Sequence, residues 1–292
     1  MSLNQSFYQK MLAQQLAKKA AAEGSSSDAA AAAAPAPAAP TLAIEPLTAK
    51  TLSNPVVLVS GSTNYLAVGK RPGEQTDAAP NLMGPHRLLS GFGSVKVTFL
   101  ATGGNSGHVI ALGGGGEVFA WGRNESGQLG HGDLVMRPGP ARVSALNGSK
   151  VTAASTGKVH TVFLTDAGDV LACGSCKQGA VGNGAPKKTD NQTKPVALNT
   201  GGAKFSTIAS GSNFNLAIDS VGDVWAWGWS EFGVLGNGDD GEHNTADGAV
   251  KLSYLAETSP SRVRTLEGLK NVHVACGQHH CAAIDGEGVV YT

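Results

Sequence analysis

A phrase of twelve residues occurs three times in this sequence with the same internal spacing, and no other feature constrains the fold as strongly. The clearest copy runs from Trp121 to Gly132. Its defining positions are Trp121, Gly122, Gly127, Gly130 and Gly132 in the first copy, Cys173, Gly174, Gly179 and Gly182 in the second, and Trp227, Gly228, Gly233 and Gly236 in the third. Self-similarity of this kind indicates that one small structural unit is repeated along the chain.

The length of the repeated unit points to a β-propeller. A degraded copy starts at Ser60, and the starts at Ser60, Trp121, Cys173 and Trp227 lie 52 to 61 residues apart. Propeller blades span about 40–50 residues before loop insertions are added. The third unit predicts four short strands, over residues 205–209, 216–219, 224–227 and 262–264. The sequence therefore predicts an all-β chain of four-stranded antiparallel blades.

Each position of the phrase has a physical reason in such a blade. A strand that faces the next blade needs a large apolar side chain, which Trp121 and Trp227 provide and Cys173 provides on a smaller scale. The glycines that follow allow positive φ and close packing where the chain turns sharply. We therefore interpret them as fold residues and not as a ligand cradle, although Gly179–Gly184 superficially resembles a phosphate loop.

A second recurrent position lies thirteen residues before the start of each phrase. It holds His108, His160 and Phe214, and His280 occupies the corresponding place in the last part of the chain. A histidine that recurs once per blade is expected to bond to the backbone of a neighbouring blade. Since no nucleophile elbow or carboxylate pair stands out from the turn residues, we predict no catalytic residue and no cofactor.

The phrase resembles the repeat of the regulator of chromosome condensation family, and the resemblance extends from Ser60 to Thr292. Within the family, the segment Asn81–Arg87 together with the phrase at Trp121 is similar to the telophase-disc branch. The resemblance implies a seven-bladed propeller, of which this chain holds about half, as one degraded, two complete and one interrupted unit. An open half-ring exposes blade edges and an apolar axial face, so we expect a C-terminal half or a partner chain that completes the ring.

The same resemblance implies a function in protein binding. We expect a small-GTPase regulator of the guanine-nucleotide exchange type, acting without covalent catalysis, and an adaptor associated with chromosomes or the spindle. The implied partners are a small GTPase and chromatin or microtubule-associated components. The alternative is a structural scaffold subunit of a large assembly, such as an axoneme or a mitochondrial ribosome, with no exchange activity.

The sequence divides into three parts. Residues 1–23 carry apolar side chains at roughly helical spacing and lysines but only one acidic residue, which predicts a short amphipathic tail. That tail is either a docking element for a partner, a basic chromatin-touching segment, a poor organellar presequence or a frayed terminal helix. Residues 24–55 form an Ala/Pro/Ser-rich linker, and residues 56–292 contain the repeats.

Composition and net charge limit the cellular compartments and the classes of partner that we expect for this protein. The net charge is +0, which gives no global electrostatic attraction to nucleic acid or to an anionic membrane. No apolar run has the length of a membrane span and no secretory signal precedes the repeats, so we expect an intracellular protein without a membrane partner. The nucleus or cytoskeleton is the expected location, and an organelle or a cilium stays open. Four cysteines in 292 residues are too few for a disulfide scaffold and are expected to be reduced.

Those cysteines, together with His279 and His280, are also the candidates for a metal site. The spacing of Cys173, Cys176, Cys276 and Cys281 offers four soft ligands for zinc. The competing interpretation is that Cys173 replaces a core tryptophan and that Cys276 precedes a repeat glycine on a strand. We favour the second interpretation and predict no bound metal.

One insertion distinguishes the third repeat from the others. It runs from Asp239 to Ser259 and contains Asp239, Asp240, Glu242, Asp247 and Glu257. An acidic loop at one end of a propeller suits a basic partner surface. The insertion is equally well interpreted as a solvated hairpin extension.

Overall fold

The computed structural model describes residues 44–45, 57–62, 81–184, 191–245 and 252–292, and within 44–45, 58–62 and 81–88 only the backbone. All of them lie in one compact unit, residues 39–292. The predicted amphipathic tail and most of the predicted linker lie outside the described residues, so the domain boundaries stay predictions. Within the part of the chain that the structure describes, no helix has the length and apolar character that crossing a membrane requires.

The described chain forms a series of antiparallel sheets, which we number as blades 1 to 5. Blade 1 contains β1 (Ile44–Glu45), β2 (Val57–Ser62) and β3 (Asn81–Leu89). Blade 2 contains β4 (Val97–Ala101), β5 (His108–Gly113), β6 (Val118–Gly122) and β7 (Arg137–Arg142), and blade 3 contains β8 (Val151–Thr156), β9 (His160–Thr165), β10 (Val170–Gly174) and β11 (Gln192–Ala197).

Blade 4 contains β12 (Phe205–Ser210), β13 (Phe214–Asp219), β14 (Val224–Trp229) and, after a small hairpin of β15 (Glu242–Asn244) and β16 (Leu252–Tyr254), β17 (Ala256–Arg262). Blade 5 contains β18 (Asn271–Cys276), β19 (Cys281–Asp285) and β20 (Val290–Tyr291). Short 3-10 turns occur at Ser144–Leu146, Glu231–Gly233 and Arg264–Leu266. Blades 2, 3 and 4 are four-stranded and follow the chain order from first to last strand, which confirms the predicted propeller architecture.

One detail of blade 4 differs from the sequence prediction. The blade has the four strands that the sequence predicts, because the insertion enters the loop between its third and fourth strands, and the β14–β17 ladder forms with one irregularity between Ala226 and Gly228. The fourth strand was predicted over residues 262–264 but covers Ala256–Arg262. The strand ends at Arg262 because the next residue, Val263, is already the N-cap of the 3-10 turn at Arg264–Leu266.

The topology places the loops at two opposite ends. Consecutive strands of a blade are antiparallel, so the loop between strands one and two shares an end with the loop between strands three and four. We call this the hairpin end, since it carries the β15–β16 hairpin. The loops between strands two and three, and the connections to the next blade, lie at the opposite end.

The hydrophobic core sits between blades more than within them. One cluster joins Ile110 and Leu129 of blade 2 to Phe163 of blade 3. The next joins blade 3 to Trp227 of blade 4, and a third joins Leu216 of blade 4 to blade 5. Because each blade buries its faces against its neighbours, the residues that define a junction decide whether the blades stay together.

A glycine inside blade 3, at the pairing of β9 with β10, gives the first testable prediction. Gly174 has φ +120°, and a Cβ there would lie 2.4 Å from the carbonyl oxygen of Val159, whereas Gly201 has φ +62° and nothing within 4 Å of the added atom. Both substitutions strain the backbone, but only Gly174→Ala also clashes with a neighbouring strand. We expect Gly201→Ala to lower the free energy of unfolding by about 1 kcal/mol and Gly174→Ala by about 2–3 kcal/mol, measured by urea denaturation. Equal losses would contradict the close approach.

Candidate functional site

The glycine-rich turns of the first two copies pack on the next blade. The Gly132 amide donates to the carbonyl of Thr193 at 2.8 Å, and the Gly184 amide donates to the carbonyl of Thr258 at 2.7 Å. A Cβ at Gly182 would come within 2.6 Å of the Trp227 ring. The repeat glycines at 122, 127, 130 and 132 all have positive φ, as do their counterparts in the later copies. In the first two copies the neighbouring blade occupies the space above the turn, whereas in the third copy a Cβ at Gly233 or Gly238 would have nothing within 4 Å.

The residue that opens each phrase faces the preceding blade, not the next one. The Trp227 side chain is fully buried, and its indole N–H donates to the carbonyl of Ala180 at 3.1 Å. The Cys173 thiol lies 3.5 Å from the carbonyl of Gln128. Our prediction that these side chains face the next blade was wrong, because the turn of the preceding repeat reaches forward and covers this position.

The recurrent histidines reach across the junctions through a side chain of the next blade. His108 Nε2 lies 2.7 Å from Thr161 Oγ1, and Thr161 Oγ1 donates to the carbonyl of Gln128 at 2.7 Å. Because the threonine hydroxyl gives its hydrogen to that carbonyl, it accepts from His108 Nε2–H. We predicted a direct hydrogen bond from histidine to a backbone group of the neighbouring blade, which was wrong. The histidine bonds to a side chain of the next blade, and that side chain bonds to the backbone carbonyl.

The junction between blades 3 and 4 repeats this relay with an amide. His160 Nε2 lies 2.8 Å from Asn215 Oδ1, and Asn215 Nδ2 donates to the carbonyl of Ala180 at 2.8 Å. All of these polar groups are buried, so each bond satisfies an atom that has lost water. We call each such chain of histidine, side chain and turn carbonyl a junction latch.

The junction between blades 4 and 5 carries a different version of the latch. Phe214 replaces the histidine, and the Cys281 thiol lies 3.2 Å from the carbonyl of Val234. His280, the corresponding anchor of blade 5, is exposed. The sequence analysis missed Thr161, Asn215 and Cys281, although their signal was present: each directly follows an anchor residue at the start of a strand.

Burial keeps the latch histidines neutral. It lowers the pKa of His108 to about 3, with a smaller contribution from His160. Burial also lowers the pKa of His160 to about 4, against the opposing effect of its bond to Asn215. A general acid or base at neutral pH has a pKa near 7, so these histidines act as hydrogen-bonding groups of the fold.

The four cysteines do not come together. Cys173 and Cys176 lie in or beside blade 3, whereas Cys276 and Cys281 pair across β18 and β19 of blade 5. All four are thiols. In the part of the chain that the structure describes, no three His, Cys, Asp or Glu side chains are grouped so that they could hold a metal ion. The zinc arrangement is therefore not formed, because Cys173 faces the turn of blade 2.

The acidic insertion folds back on the turn of blade 4. The Ser230 hydroxyl bonds to the carbonyl of Asp240 at 2.7 Å and also to the carbonyl of Leu255. Trp229 and Tyr254 stack edge to face with ring centroids 5.9 Å apart. Of the acidic residues singled out above, Asp239 and Glu242 are exposed and Asp240 is half-buried, while Asp247 lies outside the described residues.

An exposed aromatic residue lies beside this insertion. Phe232 is 64% exposed and has φ +67°, and its ring contacts that of His279 with centroids 5.1 Å apart. The same position of the phrase holds Ser126 and Gln178 in the other copies, so the repeat itself does not need an aromatic side chain. Leu255 nearby is also exposed. The hairpin end thus presents apolar side chains next to carboxylates.

A cavity of about 230 Å³ opens at the same end. It lies among the loops between the first and second strands of blades 2 to 5 and is lined by Gly103, Gly104, Asn105, Thr156, Gly157, Ser210, Gly211, Ser212, Cys276, Gly277 and Gln278. Backbone bonds tie these loops together, since the Lys158 amide donates to Ser212 and the Ser212 amide to Gln278. Its lining contains no charged side chain.

Comparisons with known proteins agree with this geometry. Models of the regulator of chromosome condensation (RCC1) repeat match residues 115–164, 205–234 and 221–284. Protein RCC2 of Mus musculus is 33% identical over 255 residues, which cover 81% of this chain and 48% of the mouse protein. The chain therefore spans about half the length of the curated RCC2 proteins it matches.

Two solved structures share the fold. Prp20p from Saccharomyces cerevisiae, described with its binding properties to Gsp1p and histones, has a TM-score of 0.60 and 22% identity, covering 78% of this chain and 51% of that one. Human WBSCR16 has a TM-score of 0.60 and 21% identity, covering 82% of this chain and 62% of that one. At these identities the likeness establishes the propeller architecture alone.

Proposed function

Because this chain belongs to the regulator of chromosome condensation repeat family and matches its RCC2 branch, we propose that it is a protein-binding β-propeller that regulates a small GTPase and acts as a chromosome-associated adaptor. The observation that carries the proposal is the repeat itself, three copies of which close blades 2, 3 and 4. Prp20p, which shares the fold, is described with binding to Gsp1p and histones. Such a function works by surface complementarity, without a covalent step.

We place the partner surface at the hairpin end. Residues 229–260 contain six acidic side chains and one lysine, so this segment is strongly negative in a protein of zero net charge. Phe232 belongs to this segment and its exposed side chain offers an apolar contact at the same end. Apolar anchors surrounded by charges of one sign are typical of surfaces that bind a partner of opposite charge. The expected contact is a basic surface of the partner protein.

The proposal is tested by nucleotide release. The purified protein is added to a panel of small GTPases loaded with a fluorescent GDP analogue, and the loss of fluorescence is followed with excess GTP present. Faster release from one GTPase, at catalytic amounts of the propeller, supports regulation by exchange. If none of the panel is accelerated and none binds in a pull-down, the scaffold alternative replaces the regulatory one.

A charge reversal tests where the partner binds. Glu242 is exposed at the hairpin end, and Glu287 is exposed in the β19–β20 loop at the opposite end. We expect Glu242→Lys to weaken the affinity for the partner about tenfold, mainly through slower association and a smaller salt dependence. Glu287→Lys is the matched control and should change affinity less than about twofold. Surface plasmon resonance at two salt concentrations measures both, and a larger effect of the control variant would move the partner surface to the other end.

A further inference from the structure

We propose that Cys276 and Cys281 form an oxidation site in which a cross-strand disulfide replaces the junction latch between blades 4 and 5. The two cysteines are Cα partners in the antiparallel β18–β19 ladder. The Gly277 amide donates to the carbonyl of His280 at 2.9 Å, which makes the adjacent pair, Cys276 with Cys281, a non-hydrogen-bonded one. Cα atoms of such pairs lie about 4.5 Å apart, within the range that a disulfide spans.

The same pair of positions in blade 4 shows that side chains at this place reach each other. The pair equivalent to Cys276 and Cys281 is Ser210 with Asn215 in blade 4. There the Ser210 hydroxyl donates to Asn215 Oδ1 at 2.8 Å across the two strands. In blade 5 the same two positions hold the thiols of Cys276 and Cys281. A serine and an asparagine cannot be joined covalently, but two cysteines can.

Cys276 has an access route for an oxidant, and Cys281 has a structural role. Cys276 is partly exposed and lines the 230 Å³ cavity at the hairpin end, so a small oxidant can reach it. The Cys281 thiol is directed at the carbonyl of Val234 in blade 4. Burial raises the pKa of both thiols, so the reaction is expected to be slow at neutral pH and faster as pH rises. In contrast, Cys173 is fully buried against the turn of blade 2.

The chemistry is balanced with a peroxide as oxidant. The Cys276 thiol attacks one peroxide oxygen, the O–O bond breaks, and the products are a sulfenic acid and one water molecule. The Cys281 thiol then attacks the sulfenic sulfur, forming the S–S bond and releasing a second water molecule. The thiol hydrogen that faced Val234 is lost in this step. The carbonyl of Val234 then has no thiol donor, and the junction between blades 4 and 5 opens more often.

The test combines mass spectrometry with hydrogen exchange on the folded protein. After treatment with hydrogen peroxide and blocking of remaining thiols, the tryptic peptide 271–292 should be about 2 Da lighter than its dithiol form and unreactive toward the blocking reagent. More than about half of this peptide should carry the disulfide. Cys173 and Cys176 should remain thiols under peroxide and therefore carry the blocking reagent. Amide exchange in residues 234–236 and in β18 should rise about threefold or more on oxidation and return on reduction with dithiothreitol.

Two variants taken from the repeat itself control the experiment. Cys276→Ser reproduces Ser210 of blade 4, and Cys281→Thr reproduces Thr161 of blade 3, so neither introduces a residue foreign to this position. Both should keep the same exchange pattern with and without peroxide. Two outcomes overturn the proposal. In the first, peptide 271–292 of the folded protein keeps both thiols at a peroxide concentration that oxidises the same peptide in the urea-unfolded protein. In the second, the peptide gains oxygen as sulfinic acid instead of losing two hydrogens.

Discussion

Replacing Trp227 with alanine is expected to lower the free energy of unfolding by about 3–5 kcal/mol. The indole is fully buried at the junction of blades 3 and 4, where it packs against Gly182 and donates to the carbonyl of Ala180. Its removal leaves a large cavity between two sheets that cannot close, because the turn above it is fixed by its own backbone bonds. Urea denaturation followed by circular dichroism measures the loss.

The chain provides a matched aromatic control in the same repeat. Phe232 lies five residues further along the same repeat unit, but its ring is exposed at the hairpin end. Phe232→Ala should therefore change the free energy of unfolding by no more than about 0.5 kcal/mol, even though it also removes an aromatic ring. If both substitutions cost the same, aromatic content and not the junction would account for the effect.

The repeat phrase allowed the architecture to be predicted because its glycines and tryptophans are required by geometry. Positive φ at Gly127 and Gly130 and the burial of Trp227 are consequences of a sharp turn that must fit against the next sheet. Such requirements recur in every copy and are visible without coordinates. The same reasoning explains why the acidic insertion did not disturb blade 4: the register shift between its third and fourth strands also occurs in blades 2 and 3, which lack the insertion.

The sequence analysis missed the junction latches for a physical reason. Thr161, Asn215 and Cys281 occupy one position of the repeat with three different side chains, so a search for identical residues passes over them. What they share is a donor aimed at a turn carbonyl of the preceding blade, at Gln128, Ala180 and Val234. Only the packing of two sheets brings that donor and acceptor together. Phe232 was missed for the opposite reason, because its exposure depends on where the insertion folds.

The anchor position itself tolerates two kinds of ring. His160 lies against Gly157 and Phe214 lies against Gly211, and in both cases a Cβ on the glycine would overlap the ring. The glycine thus makes room for any flat side chain of this size. Histidine adds a hydrogen bond to the next blade, whereas phenylalanine adds apolar contact alone. Of these two residue types, only histidine titrates, so only the junctions with a histidine anchor make the free energy of unfolding depend on pH.

We accordingly expect stability to fall as the pH drops below 6.5. His108 and His160 are neutral in the folded protein, with pKa values lowered to about 3 and about 4, whereas in the unfolded chain they titrate near 6.5. Between those limits the unfolded state binds more protons, so each histidine removes about 1.4 kcal/mol of stability per pH unit as the pH decreases. From pH 6.5 to 4.5 the two together should cost about 5 kcal/mol. Asp133, whose pKa Arg137 lowers to about 2, loses its contribution only below pH 4.

Blade 4 carries Phe214 at the anchor position, so a histidine-to-phenylalanine variant isolates the contribution of the two histidines to the pH dependence. In the double variant His108→Phe/His160→Phe, Thr161 and Asn215 keep their bonds to the turn carbonyls, and each new ring lies where Phe214 lies in its own blade. The slope of unfolding free energy against pH between 6.5 and 4.5 should then decrease by about 2–3 kcal/mol per pH unit, whatever the variant's stability at pH 7. The half-buried His131, whose pKa burial lowers to about 4, stays in both proteins and accounts for a residual slope. An unchanged slope would mean that the two histidines are not protonated on unfolding and that the acid sensitivity of the blades resides elsewhere.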